Sequence, residues 1–169
     1  VYESAGLGSM GYSIPAALGI AAGTGVPTYV VTGDGGAQMN IQELNTISKE
    51  HLPVKILVLN NHVLGHIILF QNHYLDCRRT ATTEEGKDYF SCDFAALAKA
   101  YGIRSFKVRS IQELNQYKDE LNDSKPLLIE AEFEDCSMLP NIHGGLDPLT
   151  NGPKLPEGLA DKVREIIED

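Results

Sequence analysis

The chain has 169 residues, 43% of them hydrophobic and 22% charged. That composition suits one soluble globular domain with a sizeable core and argues against disorder. Its net charge of −9 excludes nucleic acid or an anionic membrane as the expected main partner, because both demand clustered Lys and Arg. No apolar stretch approaches the roughly 18–20 residues of a membrane span. Cys77, Cys92 and Cys136 lack the even count and C-x-x-C spacing of a disulfide framework or zinc knuckle, so a cytoplasmic location is the default. The chain opens at Val1 without Met or a signal-like segment, which reads as a piece of something longer.

In chain order, Pro15–Ala22 reads as a small-residue helix closed by Gly23 and Gly25, and Pro27 then introduces a strand at Thr28–Thr32. Asn40 is placed as an N-cap, with Glu43 in capping-box position. Ile41, Leu44, Ile47 and Ser48 then keep helical spacing up to Pro53. Val54–Leu59 is a short β-branched strand, and a helix is expected over Leu64–Tyr74. Asp76–Cys92 is polar and aperiodic and reads as an exposed excursion. Asp93 caps a helix over Phe94–Tyr101 that Gly102 ends, and a strand follows at Ser105–Val108. Ser110 with Glu113 opens another helix, with Ile111, Leu114, Tyr117 and Leu121 facing inward. Pro126 precedes the strand Leu127–Phe133. Residues 134–158, with four prolines and four glycines, look like an irregular strap, and residues 159–168 like a terminal amphipathic helix. The order αβαβαβαβ implies an α/β fold: an open, mostly parallel sheet with helices on both faces.

The most informative feature is a pair of strand ends. Gly33-Asp34-Gly35-Gly36 follows the first strand, and Asn60-Asn61 closes the second, one crossover later. In an open parallel sheet both ends lie on the edge where ligands bind. An Asp and an Asn brought together there suit one hard cation, and glycine amides suit an anion such as a diphosphate. The only cationic side chains between Gly33 and Asp76 are Lys49 and Lys55, both away from these ends, and no P-loop is present. A divalent cation such as Mg²⁺ resolves the repulsion between Asp34 and a bound phosphate. The plain alternative is an Asp-Gly turn and an Asn helix cap without metal, against which the Asn pair at the next strand end weighs.

At these residues the chain resembles the thiamine-diphosphate enzymes. The wider likeness is to the acetolactate synthase-like group, carried by Gly8-Ser9-Met10-Gly11-Tyr12-Ser13-Ile14-Pro15-Ala16-Ala17, by Asn40-Ile41-Gln42-Glu43-Leu44 and by Leu52-Pro53-Val54-Lys55. It covers roughly Gly6 to Phe133. The resemblance implies thiamine diphosphate and Mg²⁺ as cofactors. Asp34 and Asn61 would hold the metal by side chain and Val63 by its carbonyl. Gly33, Gly35, Gly36, Leu64 and Gly65 would line the diphosphate, with Gly36 where the family often has Ser. Gly8 and Met10 would hold the aminopyrimidine, the Met10 side chain wedging beneath the cofactor. His66 and Phe70 would face the substrate. Phe70 stands where acetolactate synthases carry a Trp that shapes the acceptor pocket, which puts the acceptor in doubt.

Two motifs are decoys. Gly6-x-Gly8-x-x-Gly11 satisfies a dinucleotide fingerprint without a good preceding strand, and His62 with His66 has ligand spacing without a third ligand. The resemblance also shows what is missing: the glutamate that activates the cofactor belongs to a separate pyrimidine-binding domain, and no segment here resembles it. No catalytic residue is therefore assigned. The chain is read as a C-terminal fragment or as the smaller subunit of a split enzyme. The expected partners are a 2-oxo acid and a pyrimidine-binding domain, in a homodimer or homotetramer. Three readings stay open: an acetolactate synthase-like carboligase that decarboxylates a 2-oxo acid, the β subunit of a split sulfopyruvate or phosphonopyruvate decarboxylase, and a noncatalytic module that keeps the fold.

Overall fold

Among the described residues, three of the four strands begin directly after a proline, a residue that lacks a ladder donor and biases its predecessor toward extended backbone. They are β1 (Thr28–Gly33), β2 (Val54–Asn60) and, last in the chain, β4 (Leu127–Glu132); β3 (Arg104–Val108) follows Gly102, which takes a left-handed φ of 78°. The computed structural model describes residues 2, 8–83 and 88–133. The chain divides into two compact units, Val1–Cys136 and Ser137–Asp169. The expected strap and terminal helix at 134–168 lie outside the described residues, so the architecture is that of the first unit.

These four strands run parallel in the order β1-β2-β4-β3. The connecting helices are α1 (Ser13–Thr24), α2 (Asp34–Met39), α3 (Glu43–Lys49), α4 (Gly65–Tyr74), α5 (Phe94–Ala100), α6 (Ile111–Leu114) and α7 (Lys118–Asn122), with a 3₁₀ turn at Asn115–Tyr117. Register explains the two layers. Val30, Ile56 and Leu128 stand side by side and bury against Ile14 and Ala17 of α1, Leu44 and Ile47 of α3, and Phe94 and Ala98 of α5. One residue on, Leu57, Ile129 and Phe106 face the other way, under Leu114, Tyr117 and Leu121. The rings of Phe106 and Tyr117 stack at 4.0 Å. The expected helix-covered parallel sheet is therefore the observed one.

Four local readings change. Asn40 does not cap α3, whose N-cap position is taken by Gln42 without a side-chain hydrogen bond; Asn40 Nδ2 donates to the Gly11 carbonyl at 2.9 Å instead. A short helix, α2, begins at Asp34, where the sequence reading places no element between the first strand and Asn40. Ile111 is 68% exposed, because it is the first helical residue after the Ser110 cap and precedes the stretch that reaches the sheet. The segment after Asp76 is not wholly an exposed excursion: Thr82 and Ser91 are buried where it folds back on the strand ends. By contrast, the Asp93 cap is present, accepting from Ala96 N–H at 2.7 Å.

At the N-terminal edge of the sheet, Lys55 is 2% exposed. Its ammonium donates three bonds of 2.6 Å, to the carbonyls of Glu120 and Lys125 and to Asp123. This cation therefore staples the α7–β4 loop beneath β2, on the edge opposite the candidate site.

Candidate functional site

Parallel register sets the site. Gly33 pairs with Leu59 across the β1–β2 ladder, so Asp34 and Asn60 leave the sheet as neighbours at its C-terminal edge. Asp34 opens α2 and is 3% exposed. Its carboxylate accepts the Tyr89 hydroxyl at 2.9 Å. Burial pushes the Asp34 pKa above its ordinary value, and the opposing bonds from Tyr89, the Gly35 amide and Ser91 offset that only in part.

The two asparagines at the second end behave differently. Asn60 is fully buried: Nδ2 donates to Glu130 Oε1 at 2.8 Å, and Oδ1 accepts from His62 N–H at 3.1 Å and from Ser91 Oγ at 2.9 Å. Asn61 is half-buried, and its Nδ2 lies 3.8 Å from where a Cβ would stand on Gly65. His62 holds a left-handed φ of 59°, so the chain reverses sharply there. Val63 then bridges antiparallel to Thr83, and Leu64 N–H donates to the Thr82 carbonyl at 2.9 Å.

A third segment closes over these ends. A Cβ on Gly35 would lie 2.4 Å from Leu64 Cδ2, 3.1 Å from Met10 Cε and 3.8 Å from the Tyr89 hydroxyl. Met10, Gly35, Leu64 and Tyr89 therefore converge around one glycine backbone. A Cβ on Gly36 would stand 2.7 Å from Thr32 Oγ1 and 3.8 Å from the Gly11 amide nitrogen. Gly8 takes a φ of 58° in open space, and Gly33 lies beside the Leu59 carbonyl. On α4, His66 is exposed, whereas Phe70 is half-buried with its ring 4.8 Å from that of Tyr74. Of the two expected distant cations, Lys49 pairs with Glu50 and Lys55 sits at the opposite edge.

Sequence reasoning missed Tyr89, Ser91, Glu130 and the Gly11–Asn40 contact. Only Glu130 had a visible signal, as a carboxylate inside the apolar run Leu127-Leu128-Ile129-Glu130. Tyr89 and Ser91 lie in a polar stretch whose return to the site has no local signature.

Residues 1–131 match the family described as thiamine pyrophosphate enzyme, C-terminal TPP binding domain. The chain belongs to this family. A probable acetolactate synthase large subunit of Methanocaldococcus jannaschii is 32% identical over 96% of this chain and 28% of its own length. Acetolactate synthase 2 of Zea mays is 39% identical over 76% of this chain and 21% of its own length. A solved thiamine diphosphate-dependent 4-hydroxybenzoylformate decarboxylase from Rhodococcus jostii RHA1 superposes with a TM-score of 0.64 at 29% identity, covering 76% of this chain and 24% of that one. The chain thus spans about a quarter of the length of the relatives it matches. Within this thiamine pyrophosphate-binding domain, the strand ends that carry Asp34 and Asn61 form the candidate site.

Proposed function

We propose that this chain is the diphosphate- and Mg²⁺-binding half of a thiamine-diphosphate-dependent carboligase that decarboxylates a 2-oxo acid, of the acetolactate synthase kind. The carrying observation is the convergence of Asp34 and Asn60-Asn61 at adjacent strand ends, beside the cradle that Gly35 forms with Met10 and Leu64. The donor chemistry fits. A buried carboxylate, a carboxamide oxygen and a backbone carbonyl are hard ligands, and Mg²⁺ commonly takes one or two protein carboxylates and completes its shell with phosphate oxygens and water. The close packing also calls for glycine at 35, since a Cβ there would stand 2.4 Å from Leu64 Cδ2 and 3.1 Å from Met10 Cε.

In this reading Asp34 and Asn61 hold the ion by side chain and Val63 by its carbonyl. Gly33, Gly35, Gly36, Leu64 and Gly65 line the diphosphate, and Gly8 and Met10 hold the aminopyrimidine. When bound, the cofactor supplies the electron sink for cleaving the bond to the substrate carboxylate. Asp34 must give up its proton to bind the ion, so its burial opposes the metal-free charged state and the cation relieves that opposition. Met10 and Leu64 cover the glycine backbone and keep water from it. His66 and Phe70 on α4 face the substrate. A pyrimidine-binding domain, from the same or a partner chain in a cytoplasmic homodimer or homotetramer, supplies the activating glutamate.

The test is Asp34→Ala in the full chain: Mg²⁺-dependent thiamine diphosphate binding is lost while the circular dichroism spectrum is kept. Unchanged calorimetric affinity refutes the metal assignment. A second reading, decarboxylation without ligation, is favoured by Phe70 and by the likeness to a decarboxylase. Product analysis separates the two, because a carboligase yields a larger 2-hydroxy-3-oxo acid and a decarboxylase an aldehyde.

A further inference from the structure

Glu130 is fully buried in the interior strand β4, where an apolar residue would pack at lower cost in desolvation. Its oxygens are used on two sides. Oε1 accepts from Asn60 Nδ2 at 2.8 Å; Oε2 accepts from the Ala95 amide at 2.9 Å and lies 3.4 Å from Lys107 Nζ. The bond to Asn60 does what a leucine would not. It directs Nδ2 toward β4, so Oδ1 must face the other way, toward His62 N–H and the Ser91 hydroxyl.

That orientation bears on Asn61. The Asn60 Oδ1 to His62 N–H bond closes a three-residue turn, and Asn61 is its middle residue. His62 sits at φ 59°, in the left-handed region that few non-glycine residues occupy, although His is among those enriched there. Ser91, on the same Asn60 oxygen, also bears on the Asp34 carboxylate. One buried carboxylate thus stands behind both strand ends.

We infer that Glu130 is a positioning residue: through Asn60 and Ser91 it fixes the Asn60–Val63 turn against Asp34 in the geometry that a divalent cation requires. This rests on the Mg²⁺ reading above. Partners that orient metal ligands typically change metal affinity by about 10–100-fold when removed. Glu130→Gln keeps the volume but turns an amide donor toward either Asn60 or Ala95. The double change Asn60→Asp with Glu130→Gln restores complementarity. The carboxamide introduced on β4 donates to the carboxylate introduced at the end of β2 and accepts from Ala95, while that carboxylate accepts from His62 and Ser91.

The experiment titrates the full chain with Mg²⁺ at saturating thiamine diphosphate, with Mn²⁺ binding followed by electron paramagnetic resonance and the melting temperature measured in parallel. Glu130→Gln is expected to raise the half-saturating metal concentration at least about tenfold, and the double variant to return it toward wild type. A lowered melting temperature with unchanged metal half-saturation makes Glu130 a packing residue and overturns the inference. Should Glu130→Gln fail to fold, Glu130→Asp takes its place; its shorter reach to Asn60 is expected to weaken metal binding, and unchanged binding overturns the inference. Asp34→Ala run alongside separates the two claims. If it too leaves metal binding unchanged, the Mg²⁺ site itself falls; if it abolishes binding while Glu130→Gln does not alter it, only the positioning role falls.

Discussion

Asn40 Nδ2 donates to the Gly11 carbonyl at 2.9 Å, and a Cβ on Gly11 would stand only 2.6 Å from that same nitrogen. The contact ties the loop carrying Met10 to the turn after α2. Gly11 has a φ of 82°, and its Cβ would also meet Met39 Cβ at 2.7 Å. Gly11→Ala is therefore expected to destabilise the fold by about 1–3 kcal/mol and to release Met10 from Gly35. Urea unfolding and thiamine diphosphate calorimetry measure both effects, and an unchanged unfolding midpoint would show that the loop is not constrained.

Gly35→Ala makes a different prediction. The nearest atoms, Leu64 Cδ2 and Met10 Cε, are far ends of flexible side chains. The fold should survive with a loss of no more than about 1–3 kcal/mol, while the cradle fills. We expect cofactor affinity to fall at least about tenfold, equivalent to about 1.4 kcal/mol, with a cooperative unfolding transition retained. Equal affinity in the two proteins would remove Gly35 from the binding surface.

The raised pKa of Asp34 sets a pH dependence. Burial favours the neutral carboxyl, so Asp34 adds stability as pH falls below its folded pKa and opposes folding once ionised. Metal binding runs the other way, since only the carboxylate binds. Apparent Mg²⁺ affinity should drop as pH falls through the raised pKa, approaching about a tenfold loss per pH unit, with proton release on binding at and below that pKa. Calorimetry in buffers of differing ionisation enthalpy reads that proton. Asp34→Asn should abolish both the affinity and its pH slope; a slope that persists assigns the proton elsewhere.

Lys55→Met tests the opposite edge. It strips Asp123 and the carbonyls of Glu120 and Lys125 of their shared donor. The loss should be about 2–3 kcal/mol, below that for a fully buried pair because Asp123 keeps solvent contact. The hydrogen bond from Lys55, with help from Arg104, holds the Asp123 pKa below its ordinary value. That stabilisation is complete above the unfolded value of 3.8 and is lost as pH falls from there through the lower folded value. The variant should show a flatter acid limb in unfolding scans while its metal half-saturation matches wild type. A shift in metal affinity would mean that the two sheet edges are coupled.

The chain's own order determined the strands, through Pro27, Pro53 and Pro126, and the Asp93 helix start, because these depend on neighbours a few residues away. It also determined that Asp34 and Asn60-Asn61 terminate successive parallel strands, which is enough to bring them to one edge. Tertiary structure alone decided the rest. Asn40 reaches Gly11 across 29 residues, Tyr89 reaches Asp34 across 55, and Asn60 meets Glu130 across 70. Each of these polar groups had a local alternative, a cap or solvent, and only burial against a distant strand or loop selected the partner. Which asparagine faces outward and which is held from behind was settled by packing, since a buried amide must satisfy both its ends wherever the fold supplies a donor and an acceptor.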